Sequence, residues 1–166
     1  MVTGKERVPK ELGFPAILKP LYEGSSKGIL MSSVVENESE LRDVARELIS
    51  KYKQPILLEA FLPGREFTVA LLGERKPRVL PIMEVVFTDK EEKFPIYSYE
   101  KKKADASTVK FQVPARFDDE RHRREIERVA RNAFVALGCR DLARVDVRLD
   151  ERGRVHFMEC NPLPGL

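Results

Sequence analysis

Two stretches near the end of the chain decide how the rest is read: Arg144-Val145-Asp146-Val147-Arg148-Leu149 and Val155-His156-Phe157-Met158-Glu159-Cys160-Asn161-Pro162. Both alternate in polarity and are rich in β-branched or aromatic residues. Asp150-Glu151-Arg152-Gly153 between them has turn composition, so the pair predicts a β-hairpin. Side chains alternate faces along a strand, which puts Arg144, Asp146 and Arg148 on one face and pairs Glu159 with Asn161 on the other arm. If the arms fold back about residues 151–153, opposed residue numbers sum to roughly 303–305. Either odd sum gathers Asp146, Phe157, Glu159 and Asn161 on one face and turns His156 to the other. Two carboxylates and an amide oxygen then converge beside an arginine. Hard oxygen donors of this kind suit a Mg²⁺ ion that also carries phosphate oxygens. The competing reading is an edge hairpin with a charged solvent face. Against it, Val145, Val147, Leu149, Met158 and Cys160 make the opposite face apolar enough for core, and Asn161-Pro162-Leu163-Pro164-Gly165 is a stiff loop able to pin Asn161.

At 166 residues with 42% apolar content, the chain is long enough for one domain with a real core. Charged residues make up 34% but nearly cancel to +3, which argues against a nucleic-acid-binding tail or a membrane patch. No apolar run reaches the length of a membrane span, and residues 1–10 hold no apolar signal core. The expectation is a cytoplasmic protein with no nucleic-acid or membrane partner. Cys139 and Cys160 show neither metal-ligand spacing nor a disulfide framework, so reduced thiols are expected.

Working back from the hairpin, Ile126, Val129, Ala130, Ala133, Phe134 and Leu137 repeat at helical spacing. They predict a helix over about 119–137, capped by Asp118 or Asp119 and stopped by Gly138. Residues 111–115 read as a short extended segment. Residues 88–108 are polar and irregular and contain Lys101-Lys102-Lys103. A loop this long is functional or disordered, and the lysines are either a solvated run or a source of positive charge for phosphates. Residues 79–87 and 65–73 read as strands, as does 56–62, which carries Glu59 within an apolar run. A carboxylate there needs a lysine partner or a ligand, because unpaired burial is costly. Residues 37–52 form the clearest helix, with Asn37 as N-cap and an apolar stripe through Leu41, Val44, Ala45, Leu48, Ile49 and Tyr52.

Before that helix, strands at 16–19 and 29–35 flank Glu23-Gly24-Ser25-Ser26-Lys27-Gly28, with Lys19 at the base. This is either a plain Gly/Ser turn or a flexible tip able to close over phosphate. It is not a Walker-type loop, since no Gly-Lys-Ser/Thr leads into a helix. The whole pattern, ββαββ…βαββ, predicts an α+β fold with mostly antiparallel sheet.

A strand lysine, a Gly/Ser flap, an acid in a strand, a lysine-bearing loop and an acidic hairpin follow one another in fixed order. That order resembles the ATP-grasp superfamily, and within it the carboxy-terminal catalytic region of D-alanine–D-alanine ligases, over nearly all of 14–165. The most specific pieces are Leu18-Lys19-Pro20 with Glu23–Gly28, Leu58-Glu59 with Pro63-Gly64-Arg65-Glu66-Phe67-Thr68-Val69, Ala143-Arg144-Val145-Asp146, and Phe157-Met158-Glu159-Cys160-Asn161-Pro162-Leu163-Pro164-Gly165. The resemblance implies two small subdomains, about 14–62 and 63–166, with a nucleotide between them.

By this resemblance Lys19 contacts ATP phosphates, and Ser25, Ser26 and Gly28 belong to the flap. Glu59 and the backbone of Phe61 and Leu62 hold adenine, and Glu66 binds ribose. Lys102 reaches phosphate. Asp146, Glu159 and Asn161 hold two Mg²⁺, with Mn²⁺ as an alternative. Arg144 and the Gly165 N–H steady an oxyanion. The implied activity is ATP-dependent joining of two amino acids through an acyl phosphate, for peptidoglycan precursors. A ligase for other amino acids or peptides, or a nucleotide-binding fragment that needs a partner, are the alternatives. The family's amino-terminal domain is expected to be missing, as are the serine and closing helix beyond the Pro-Gly that help build a homodimer. Lys103 stands where the family usually has tyrosine, which leaves the second substrate open.

Overall fold

The computed structural model describes residues 12–24, 26–98, 101 and 108–164. The chain divides into two compact units, Met1–Phe61 with Asp89–Thr108, and Leu62–Thr88 with Val109–Leu166.

In the first unit, β1 (Ala16–Pro20) is central to a three-stranded antiparallel sheet, between β2 (Val34–Val35) and β3 (Ile56–Ala60). Helix α1 (Glu38–Tyr52) starts where Asn37 Oδ1 accepts the Glu40 N–H at 3.0 Å. It ends at Lys53, whose left-handed backbone (φ 54°) returns its N–H to Ile49 C=O. The helix buries Leu41, Ala45 and Leu48 against Ala16, Leu18, Val35, Ile56 and Leu58. The opposite sheet face carries Ile17, Val34, Phe61 and Ile96, with Phe94 packed edge-on to Phe61. This second cluster is why residues 89–108 belong to the first unit, whereas the sequence reading ran the second subdomain unbroken from 63. Phe94 and Ile96 bury apolar surface that the polar composition of the loop concealed.

The expected strand over 29–35 is shortened to its last two residues. Ahead of it, Ser33 caps a 3₁₀ turn (Met31–Ser33), its Oγ accepting the Leu30 N–H at 2.9 Å and its own N–H reaching Leu30 C=O. Local serine hydrogen bonding competes with the strand ladder there.

The second unit is a six-stranded antiparallel sheet in the order β7-β6-β4-β8-β9, with β5 also on β4. Its strands are β4 (Glu66–Leu72), β5 (Arg78–Val79), β6 (Met83–Phe87), β7 (Val109–Gln112), β8 (Leu142–Leu149) and β9 (Val155–Asn161). The expected strand over 79–87 is two pieces, since Pro81 lacks the N–H a central strand needs. Helix α2 (Glu120–Ala136) is capped by Asp119 and closes on Gly138 (φ 66°). The Gly138 N–H returns to Val135 C=O and the Cys139 N–H to Phe134 C=O, a Schellman ending. Its stripe of Ile126, Ala130 and Phe134 is fully buried on Phe67, Val69, Leu71, Ala143, Val145 and Val147. Those strand residues are all odd-numbered. The sheet therefore gives one face to the helix and keeps residues 66, 68, 70, 144, 146 and 148 on the other.

The hairpin forms with one correction. β8 and β9 pair Arg144↔Asn161, Val145↔Cys160 and Asp146↔Glu159, then slip by one residue to Val147↔Phe157, Arg148↔His156 and Leu149↔Val155. A bulge at Met158 inserts one residue, and the β9 residues before it, 155–157, exchange faces. Phe157 therefore lies opposite Val147 rather than in the Asp146 row, and His156 lies opposite Arg148.

Candidate functional site

Register alone lines up the polar face of the second unit. Thr68, Asp146 and Glu159 lie directly across from one another on β4, β8 and β9, and Ala70, Arg144 and Asn161 form the next line. The side chains then close on each other. Arg144 Nε lies 3.1 Å from both Asp146 oxygens, and its Nη2 donates to Oδ2 at 2.9 Å. The same Nη2 is 3.5 Å from Glu159 Oε1. Asn161 Nδ2 donates to Glu159 Oε1 at 3.0 Å. Thr68 Oγ1 donates to Asp146 Oδ1 at 2.8 Å.

Burial pushes the Asp146 carboxyl above its ordinary value, with the Glu159 charge adding, against the opposing pull of Arg144 and Thr68. Burial lowers the Arg144 guanidinium, but its bonds and charge contacts to Asp146 and Glu159 outweigh that and hold it raised. One guanidinium thus faces two carboxylates, of which Asp146 is mostly buried. Two carboxylates and an amide oxygen fit a hard divalent cation, and the bulge leaves all three on one face. Among the described residues no group of three His, Cys, Asp or Glu side chains gathers. Three protein donors do not fill the octahedral shell of Mg²⁺, so a cation held here would take further oxygens from elsewhere.

The adjoining line belongs to Glu66 and Arg148, which pair across β4 and β8. Arg148 is almost fully buried; its Nη1 donates to Glu66 Oε2 at 3.1 Å and its Nε to Gly64 C=O at 3.2 Å. From the sequence Arg148 is legible only as a member of the face, and Thr68 does not stand out. The polar-apolar alternation Glu66-Phe67-Thr68-Val69 was the signal for Thr68, but only register identifies its partner. On the helix side of β9, Cys160 approaches Cys139 to 3.6 Å.

In the first unit, the Lys19 ammonium reaches Glu59 Oε2 at 2.6 Å, and that oxygen has no other hydrogen-bond partner among the described residues. The lysine partner anticipated for Glu59 is thus Lys19 itself. The Phe61 N–H is committed to Pro15 C=O at 3.0 Å. In the Gly/Ser segment Ser26 has φ 61° and Gly28 φ 76°. A Cβ on Gly28 would sit 2.5 Å from the Pro20 ring, so glycine is required there both by conformation and by space. Leu62 opens the second unit. Ser25, Lys102, Lys103 and Gly165 lie outside the described residues. No helix among the described residues is long and apolar enough to cross a membrane.

The family model described as "D-ala D-ala ligase C-terminus" matches residues 2–166. The D-alanine–D-alanine ligase of Alcanivorax borkumensis is 36% identical over 166 residues, covering 99% of this chain and 48% of that protein. The one from Pelotomaculum thermopropionicum is 34% identical over 161 residues, covering 97% and 47%. The VanG D-Ala:D-Ser ligase of Enterococcus faecalis superposes with a TM-score of 0.69 at 26% identity, covering 93% of this chain and 42% of that one. The Bacillus anthracis D-alanine–D-alanine ligase solved in complex with ATP gives 0.66 at 24% identity, with 93% and 45% covered, a likeness of fold. The chain spans about half the length of the curated relatives it matches. Its antiparallel α+β architecture is the ATP-grasp fold, and the chain belongs to the D-alanine–D-alanine ligase carboxy-terminal family.

Proposed function

We propose that this chain is the ATP- and Mg²⁺-binding part of an ATP-dependent carboxylate–amine ligase of the D-alanine–D-alanine type, acting in peptidoglycan precursor synthesis. The observation that carries the reading is the cross-strand cluster of Arg144, Asp146, Glu159 and Asn161, in a chain of this family.

A carboxylate is a poor acyl donor, so ATP first phosphorylates it and an amine then displaces phosphate from the acyl phosphate. In this reading Asp146, Glu159 and Asn161 would hold two Mg²⁺, with Mn²⁺ as an alternative. When bound, the cation offsets charge on the transferring phosphoryl group. Lys19, Lys102 and the flap residues Ser25, Ser26 and Gly28 hold phosphate oxygens. Lys19 exchanges part of its pairing with Glu59 for them. Glu59 with the backbone of Phe61 and Leu62 receives adenine, Phe61 through an atom other than its committed N–H. Glu66, oriented by Arg148, receives ribose. Arg144, already preorganised by Asp146, and the Gly165 N–H stabilise the oxyanion as the amine attacks. Closure of the flap excludes water that would otherwise hydrolyse the acyl phosphate. The substrates are two small amino acids, and the extra length of the relatives leaves room for an amino-terminal domain that receives the first of them.

Mg²⁺–ATP is expected to raise the melting temperature of the folded chain, and Asp146→Asn or Glu159→Gln to diminish that rise. Absence of any shift in a chain shown to be folded would sink the proposal. Phosphate release driven by D-alanine is expected only from a protein that also carries the amino-terminal domain. A screen of amino acids against that protein identifies the pair joined.

A further inference from the structure

We propose that Cys139 and Cys160 are a modification site: an intramolecular disulfide that forms reversibly by exchange with a low-molecular-weight disulfide. The two thiols are 21 positions apart in the sequence, and the second unit brings their sulfurs to 3.6 Å. Both positions are fixed by backbone structure. Cys139 is held by the Schellman ending of α2 through its N–H to Phe134 C=O at 3.0 Å, and Cys160 is paired with Val145 in the β8–β9 ladder. Both side chains are half-buried, so a small reagent has access without unfolding. To bond, the sulfurs must close by about 1.5 Å from this distance.

The exchange balances without an external electron carrier. The Cys139 sulfur attacks one sulfur of the small disulfide, whose S–S bond breaks; a mixed disulfide forms and the first small thiol leaves with the Cys139 proton. The Cys160 sulfur then attacks Cys139 in the mixed disulfide, and the second small thiol leaves with the Cys160 proton. Two electrons have passed from the cysteine pair to the reagent. The bond ties the end of α2 to the strand that carries Glu159 and Asn161, and so staples the acidic row from the core side. That consequence holds whatever the row binds.

The test uses the full chain as it exists. It is incubated with excess oxidised glutathione, quenched with N-ethylmaleimide, and weighed intact. The expected product has lost two hydrogen atoms, takes up no maleimide, yields a Cys139–Cys160 cross-linked peptide on non-reducing digestion, and returns to two reactive thiols with dithiothreitol. Cys139→Ser and Cys160→Ser should each stop at a single stable glutathione adduct. The oxidised form should melt roughly 5–10 °C higher than the reduced one. Two maleimides on the treated chain, a doubly glutathionylated chain, or a disulfide between two chains would each overturn the site. A bond that forms without raising the melting temperature would overturn its stapling role.

Discussion

Thr68 Oγ1 donates to Asp146 Oδ1 at 2.8 Å across the β4–β8 pair, while Arg144 grips both oxygens of the same carboxylate from the neighbouring position on its own strand. Two donors converge on Asp146, yet burial keeps its carboxyl above the ordinary aspartate value. Burial that favours the neutral carboxyl would be offset by a cation bound beside it, which favours the charged form.

The sign of the resulting pH dependence follows from linkage. Asp146 is raised in the fold, so its contribution to stability is fully present below the unfolded value near 3.8 and is lost as pH rises through the folded value. Asp146→Asn lacks that titration, so its stability relative to the parent should increase as pH rises through that window. Urea unfolding at a series of pH values reads this directly; parallel curves for the two proteins would count against it. A divalent cation reverses the preference by favouring the charged form, so Mn²⁺ affinity, read by its paramagnetic resonance, should fall on acidification through the same window.

Thr68→Val removes one hydrogen bond to a charged, mostly buried group while keeping the β-branched shape. We expect a loss of about 1–2 kcal/mol and a further rise in the Asp146 carboxyl value. Carboxyl titration by carbon-13 NMR checks the second effect; an unmoved Asp146 would show that the hydroxyl contributes nothing to it.

Arg148 and Glu66 form the most buried ion pair on the polar face, with side-chain exposures of 5% and 20%. Arg148→Ala should cost about 2–4 kcal/mol, because Glu66 loses a desolvated counter-charge and Gly64 C=O a donor. Glu66→Gln, which can still accept a hydrogen bond, should cost less. A double-mutant cycle should show coupling of about 1 kcal/mol or more between the two positions, and additive losses would refute the pairing.

Gly64 is irreplaceable for reasons of space. A Cβ there would lie 2.5 Å from Leu149 C=O, a backbone atom that also accepts the Gly64 N–H at 3.0 Å. Gly64→Ala must push β8 away or break that bond, and should destabilise the chain by about 1–3 kcal/mol. Loss of amide-exchange protection at Gly64 and Leu149 would localise the damage, whereas a neutral variant would contradict the close approach.

The features set by short-range chemistry could be read directly from the residues. Asn37 and Asp119 start helices because their side chains reach the N–H groups just inside, and the stripes Leu41-Ala45-Leu48 and Ile126-Ala130-Phe134 mark the buried faces by spacing alone. Alternation in Arg144–Leu149 separated the helix side from the polar side, which was enough to bring Asp146, Glu159 and Asn161 together. What the residues did not reveal depends on contacts between distant segments. The slip at Met158 that turns Phe157 and His156 to new faces, the partners Thr68–Asp146 and Glu66–Arg148, and the meeting of Cys139 with Cys160 all follow from register across strands. The capture of Phe94 and Ile96 by the first unit follows from burial. Periodicity is a property of neighbours along the chain, so the sequence by itself determined the elements, their buried faces and the family. Which atoms face each other across the sheet depends on strand pairing and a single inserted residue, and only the tertiary structure decided that.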